Sequence, residues 1–219
     1  MKFIRKILIT NDDGFSATGI NILKNILLNY SQEVFTVAPF SNQSGSGRSI
    51  TLGTEIKYKK ISNFDWVVHG TPADSMIFAL NKIFTQDKPD FIFSGINAGS
   101  NIGDEISYSG TVGAAFEGAL RGIPSLALSQ AGATNDKNTF EVSKNFLPTI
   151  ISKLSKIFSN KALLYNINFP NCDNVDVKDI IYTNCAHQKI SDQLIVNCKK
   201  NFFKIGKMNV SEKKDLKTD

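Results

Sequence analysis

Lys6 to Phe15, KILITNDDGF, constrains what this chain can fold into more than any other stretch. Ile7-Leu8-Ile9-Thr10 is a short apolar run of the length expected for a strand buried on both faces. It runs directly into Asn11, Asp12, Asp13 and Gly14. A glycine-containing turn at the carboxyl end of a first buried strand is where open α/β sheets build ligand sites. Two adjacent carboxylates repel each other unless a cation sits between or beside them. Oxygen-rich acids at such a place point to a hard divalent ion such as Mg or Mn. The same four residues also fit a plain polar turn with a helix cap.

The chain after this turn alternates between strand and helix patterns. Ser16 to Tyr30 carries apolar residues at helical spacing, and Glu33 to Pro39 reads as a second strand. A strand, a helix and a strand this close together make a βαβ unit and predict a parallel sheet. Ser41 to Arg48 (SNQSGSGR) is then a polar loop on the same sheet edge as Asp12 and Asp13, so a Ser hydroxyl from it can reach the same ion. Ser49 to Val68 reads as a small β excursion before the main sheet resumes. Thr71-Pro72-Ala73-Asp74 is a helix start, with Thr71 as N-cap and Pro72 at the first helical position, and the helix runs to about Phe84. Asp90 to Ser94 is a third buried strand. Ile123 to Ser129 and Ala162 to Phe169 are the fourth and fifth, with a long helix from Asn138 to Phe158 between them. Beyond Pro170, the segments Asp176 to Thr183, Leu194 to Cys198 and Phe202 to Ile205 predict a β extension or hairpin arm.

The third strand empties into a second polar constellation. Gly95 to Gly103 holds three glycines, with Asn97 and Asn101 among them. Glycine loses the most entropy on folding, so this is a costly plain connector. Closely spaced glycines do let backbone N–H groups approach an anion. Ser109-Gly110-Thr111 then opens an Ala- and Gly-rich helix, Val112 to Leu120. A Ser/Thr-bearing helix N-terminus facing such loops offers unpaired N–H groups and a favourable dipole to a phosphate.

Composition removes several function classes. The 219 residues are enough for one well-cored domain, and no apolar run approaches the ~18 residues of a membrane span. The N-terminal segment does not read as a signal peptide, because Asp12 and Asp13 break its apolar run. Cys172, Cys185 and Cys198 form no CxxC pair and read as reduced thiols of a cytoplasmic protein. Of the net charge of +5, the stretch Lys199 to Asp219 holds +4, from seven Lys against Glu212, Asp215 and Asp219. The body is near neutral, without the aromatic–basic interleaving of an RNA-binding surface, so no nucleic-acid polymer is expected as partner.

Familiar nucleotide motifs are absent. The nearest match to a P-loop, Asn42 to Ser49, has Asn where the first Gly belongs and Arg48 in place of Lys. There is no GxGxxG after the first strand and no GxSxG nucleophile turn. His69 and His187 leave few candidates for a Ser–His–acid triad and read as surface or packing residues. What remains is a set of acids, amides and hydroxyls at successive strand ends: Asp12, Asp13, Ser44, Asn97, Asn101, Ser109 and Thr111. A hard cation held by carboxylates and neutral oxygens beside a helix N-terminus suits phosphate monoesters.

The motifs TNDDG at Thr10 to Gly14, NQSGSG at Asn42 to Gly47 and HGTPAD at His69 to Asp74 resemble one known family. So does SGINAGSNIGDEISYSGTVGAA at Ser94 to Ala115, the longest and most specific match. The family is the stationary-phase survival protein SurE family of metal-dependent nucleotidases. The resemblance implies a Rossmann-like, mostly parallel α/β sheet flanked by helices, and hydrolysis of nucleoside 5′- and 3′-monophosphates. It implies one divalent cation, Mg or Mn, on Asp12, Asp13, Ser44 and Asn97. It further implies a phosphate pocket lined by Asn101, Ser109, Gly110 and Thr111, with Asn11 and Gly45 beside it, and a homodimer or homotetramer. Asp12 or Asp13 is then the expected catalytic base. The expected organisation is a single α/β domain over 1–219, with a Rossmann-like core over about 1–170 and the β extension and Lys-rich tail over about 171–219. Members of that family usually continue further, through a final strand and an arm exchanged between subunits, so the expectation for assembly is open. Two other classes remain. A haloacid dehalogenase-like phosphatase wants Asp-x-Asp, whereas Asp12 and Asp13 are adjacent. A non-catalytic nucleotide-binding regulator is compatible with the same residues.

Overall fold

The computed structural model describes residues 2–158, 163–186, 194–197 and 202–205. In chain order the elements of the main sheet are β1 (Ile4–Thr10), α1 (Thr18–Leu27), β2 (Ser31–Pro39), β3 (Tyr58–Lys60), β4 (Asp65–Val68), α2 (Pro72–Phe78), β5 (Phe91–Ala98), α3 (Gly110–Leu120), β6 (Ser125–Gln130), α4 (Glu141–Ser152), α5 (Leu154–Ile157) and β7 (Leu164–Phe169). The seven strands lie in the order β3-β4-β2-β1-β5-β6-β7. Every pairing is parallel except β3 with β4. Without the short edge strand β3, this is the 3-2-1-4-5-6 order of doubly wound nucleotide-binding sheets, and its switch point lies between β1 and β5.

The burial of β1 on both faces follows from strand alternation. Ile7 and Ile9 join a core with Leu23 and Leu27 of α1 and Leu147 and Ile151 of α4. Leu8 faces the other way, into a core with Phe35, Val37, Trp66, Met76 and Ala114. Successive residues thus feed opposite layers, as a period of two requires. The expected α/β architecture is observed.

Several boundaries differ from those read in the sequence. Residues 49–68 are not a side excursion, because β4 joins the main sheet parallel to β2, with Val37 opposite Trp66. Trp66, Val67 and Val68 are all buried, so this short run is a core strand. Thr51-Leu52 lies in no strand. The third strand extends to Ala98, past Ser94, with a register irregularity between Ser94 and Asn97. The helix from Thr71 is α-helical only to Phe78 and continues as a wider π turn over Ala79–Ile83. The long helix expected over Asn138 to Phe158 is a 3-10 turn (Lys137–Phe140) followed by α4 and α5, with Pro148 inside α4 and the break at Lys153.

The HGTPAD stretch has a local structural task. The Thr71 hydroxyl accepts from the Asp74 N–H at 3.0 Å, and Asp74 Oδ2 accepts from the Thr71 N–H at 2.9 Å, a reciprocal capping box. Buried Asp74 also accepts from the N–H and the hydroxyl of Thr51, at 2.9 and 2.7 Å, and so ties the 49–57 segment to α2.

Contacts divide the chain into a larger unit, 1–101 with 107–179, and a smaller one, 102–106 with 180–219. In the smaller unit β8 (Leu194–Asn197) and β9 (Phe202–Ile205) pair antiparallel, the hairpin expected there. Residues 177–183, expected to be extended, hold no strand. Cys198 and His187 lie outside the described residues. Among the described residues no helix is long and apolar enough to cross a membrane.

Candidate active site

At the carboxyl end of β1 the two acids diverge. Asp12 turns toward α3, where its Oδ1 accepts a 2.5 Å bond from the Thr111 hydroxyl. The backbone at Gly110 and Thr111, at the start of α3, also favours the charged form of this carboxylate. The N-terminus of α3 therefore already holds an anion, which belongs to the protein. This approach needs glycine at 110, because a Cβ there would lie 2.8 Å from Asp12 Cβ and 2.8 Å from Ser46 Oγ. Ser109 caps the helix, its hydroxyl oxygen accepting from the Val112 N–H at 3.1 Å.

Asp13 turns toward β5, and its Oδ2 accepts from the Ala98 N–H at 3.0 Å. Burial, then the neighbouring Asp12 charge, pushes the Asp13 carboxyl up to about 6. Burial also raises Asp12, against the Thr111 hydroxyl and the helix N–H groups, which favour its charged form. Asn97 precedes Ala98, and its Nδ2 donates to the Gly99 carbonyl at 2.9 Å. Asn11 closes the turn, its Nδ2 donating to the Gly14 carbonyl at 2.8 Å, while its buried Oδ1 has no hydrogen-bond partner.

The 42–47 loop is anchored beside these acids. The Gln43 N–H donates to the Asp12 carbonyl at 2.7 Å, and the Gly47 N–H donates to the Tyr108 carbonyl at 2.9 Å. Ser44 and Gly45 form its exposed tip, with the Ser44 N–H donating to Asn42 Oδ1 at 2.8 Å. Ser46 lies deeper, against Gly110, with a buried hydroxyl that has no partner.

Asn101 belongs to the other side of the switch point. Its Nδ2 donates to the Ser129 hydroxyl at 2.8 Å. Asn168 on β7 grips its backbone from both sides, Oδ1 accepting from the Asn101 N–H at 2.8 Å and Nδ2 donating to its carbonyl at 3.0 Å. Asn166 donates to that carbonyl as well, at 2.7 Å. The structure thus brings Asp12, Asp13, Asn97 and the Ser109–Thr111 cap together. Ser44 and Gly45 border them from an exposed tip, and Asn101 flanks them. Sequence reading passed over Ser46, the Ala98 N–H and the Asn166–Asn168 pair. Only Ser46 carried a signal, its place in the Ser/Gly loop.

The donor set fits a hard divalent cation. Among the described residues neither carboxylate has a Lys, Arg or His in an ion pair with it. No cluster of three His, Cys, Asp or Glu side chains occurs among them either. A cation here would rest on two carboxylates and neutral oxygens such as the Asn97 amide, which is oxygen chemistry suited to Mg or Mn.

Without a cation the pair carries a pH signature. The Asp13 carboxyl is raised above its ordinary value of 3.8 to about 6, so the folded state holds this proton more tightly than the unfolded one. Stability of the metal-free protein therefore falls as pH rises through that interval. Going from about pH 5 to about pH 7.5 costs about 1.5 kcal/mol, or about 3–6 °C in a chain of this size. Melting curves in EDTA should show this fall, and Asp13→Asn should flatten it. A wild-type midpoint that does not move would overturn the assignment.

The family model described as "Survival protein SurE" matches residues 7–192. A "5'-nucleotidase SurE" of Wolbachia pipientis subsp. Culex pipiens is 50% identical over 171 residues, covering 77% of this chain and 66% of that protein. Another, of Paramagnetospirillum magneticum, is 37% identical over 190 residues, covering 87% of this chain and 73% of that one. The chain thus spans about two thirds to three quarters of these relatives' length. The crystal structure of SurE protein from Aquifex aeolicus superposes with a TM-score of 0.78 at 32% identity, covering 98% of this chain and 87% of that one.

Proposed function

The chain belongs to the survival protein SurE family, and from that membership we propose that it is a divalent-metal-dependent nucleotidase releasing phosphate from nucleoside 5′- and 3′-monophosphates. The relatives' name, 5'-nucleotidase SurE, supports the reaction class. The observation that carries the metal is the adjacent pair of carboxylates, buried Asp12 and half-buried Asp13, with no cationic side chain paired to either among the described residues. When bound, a divalent cation acidifies a water and neutralises charge on the phosphoryl group.

The chain's own groups divide the remaining work. Asp12 is held rigidly by Thr111 and the first turn of α3, which fixes it as an anchor. Asp13 has Oδ2 committed to the Ala98 N–H, which leaves Oδ1 to take a proton from the attacking water. Ser46 and the 42–47 loop, with the Asn101 segment, supply neutral donors around the phosphate, while Ser44 and the Asn97 amide oxygen serve the cation. The Asn166–Asn168 grip positions that segment.

The direct test is phosphate release from AMP, GMP, CMP and UMP with added Mn or Mg, and again with EDTA. Release is expected only with the cation. Undiminished release in EDTA would overturn the metal assignment. Nucleotide binding by folded protein without any release would favour the non-catalytic regulator instead.

A further inference from the structure

The carboxyl ends of β2 and β4 carry two rings that no core uses. Phe40 and His69 stack with centroids 4.5 Å apart and 19° between their planes. Phe40 is 62% exposed and His69 is exposed too, and neither belongs to either buried cluster. Both are held from the backbone. The Phe40 N–H donates to the Val68 carbonyl at 2.8 Å, and the His69 N–H donates to the Lys57 carbonyl at 2.8 Å. The pair is therefore a fixed aromatic surface in water.

Its place is set by the same turn that carries the acids. Before Phe40, the Pro39 carbonyl accepts from the Phe15 N–H at 2.7 Å. After it, the Ser41 backbone packs against Gly14, where an added Cβ would lie 3.1 Å from the Ser41 carbonyl carbon. Both neighbours of Phe40 thus touch the turn that holds Asp13. Sheets of this strand order bind ligands in the crevice outside the carboxyl ends of their strands. The half of the sheet that begins with β1 continues through β2 and β4, and Phe40 and His69 stand at the ends of those two strands.

We propose that the Phe40–His69 pair is the platform on which the nucleobase of a nucleoside monophosphate stacks while its phosphate lies at Asp12 and Asp13. The inference rests on the nucleotidase reading and adds its base subsite. Every base has a π-face, so stacking on this surface makes the enzyme tolerant among bases, with purines ahead of pyrimidines. A phosphate ester without a base gains nothing from it.

The test compares AMP with ribose 5-phosphate, in the same Mn buffer, for wild type, Phe40→Ala and Phe40→Tyr. The AMP to ribose 5-phosphate ratio of kcat/KM should fall about tenfold in Phe40→Ala, chiefly through KM for AMP, and return in Phe40→Tyr. Equal losses on both substrates would overturn the platform, since the ring would then act only on the loop. An unchanged ratio would overturn it too. Asn171 lines the ~550 Å³ cavity beyond β6 and β7, and a fall in the ratio in Asn171→Ala with Phe40→Ala silent would overturn the platform and move the base to that side. If wild type turns over neither ester, the nucleotidase reading fails by itself. Calorimetric AMP binding to wild type and Phe40→Ala still decides the platform, which stands only if the variant binds about tenfold more weakly.

Discussion

Asp13→Asn is expected to reduce metal-dependent phosphate release by on the order of 10³-fold or more, and to make the metal-free protein more stable at neutral pH. Both effects come from one carboxylate. Changing groups that merely support a metal ligand already costs about 10–100-fold, so loss of the proposed ligand and proton acceptor should cost more. Asn keeps an oxygen for the Ala98 N–H, so the bond at 3.0 Å survives. What disappears is a buried charge beside Asp12, whose repulsion helps to push the Asp13 carboxyl to about 6. Asp12→Asn should lose activity to a similar degree, but with a smaller gain in stability. Its carboxylate is already met by Thr111 and the α3 N–H groups. Steady-state kinetics beside melting curves in EDTA would read both effects. An active Asp13→Asn enzyme, or one that melts below wild type at neutral pH, would remove Asp13 from the site.

The second large effect should come from a residue that touches no ligand. In Gly19→Ala the new Cβ would lie 1.9 Å from the Ile96 carbonyl oxygen and 2.9 Å from its carbonyl carbon. Both are backbone atoms of β5, so no rotamer change can relieve the clash. Overpacking a core commonly costs 1–3 kcal/mol, and a clash with a strand backbone belongs above that range, which predicts a fall of about 10 °C or more. Ile96 lies within the register irregularity between Ser94 and Asn97, two residues before Ala98. Displacing it therefore also moves the Ala98 N–H that holds Asp13. The variant should lose metal-dependent turnover in proportion to its misplacement of β5. Asn21→Ala, on the exposed side of α1, should leave both properties close to wild type. A Gly19→Ala protein that melts with wild type would show that α1 can shift freely from β5.

Much of this was legible before any coordinate, and the parts that were not have a common cause. The first strand, the Thr71-Pro72 helix start and the Ser109 cap are decided by neighbours a few residues away, and such patterns can be read from the chain. Asp12, Asp13 and Ser44 could be gathered for the same reason, since they follow strands that the sequence marks. β4 was misplaced because DWVV is too short to declare whether it pairs inside the sheet or beside it. The end of β5 was misplaced because Gly95 to Asn97 reads as loop, yet pairs with β6 through a register irregularity.

Local pattern alone makes this an α/β chain with two carboxylates at the end of its first strand and a Ser-Gly-Thr cap farther along. The strand order, with β1 beside β5, comes from long-range packing and is visible in the folded molecule alone. That order sends Asp12 to α3 and Asp13 to the Ala98 N–H, puts Asn168 on Asn101, and leaves Phe40 and His69 stacked at the edge. The physical reason is range. Strand and cap signals act through the local backbone and its period, whereas the meeting of residues 99 positions apart in Asp12 and Thr111 depends on how two layers of helices cover one sheet.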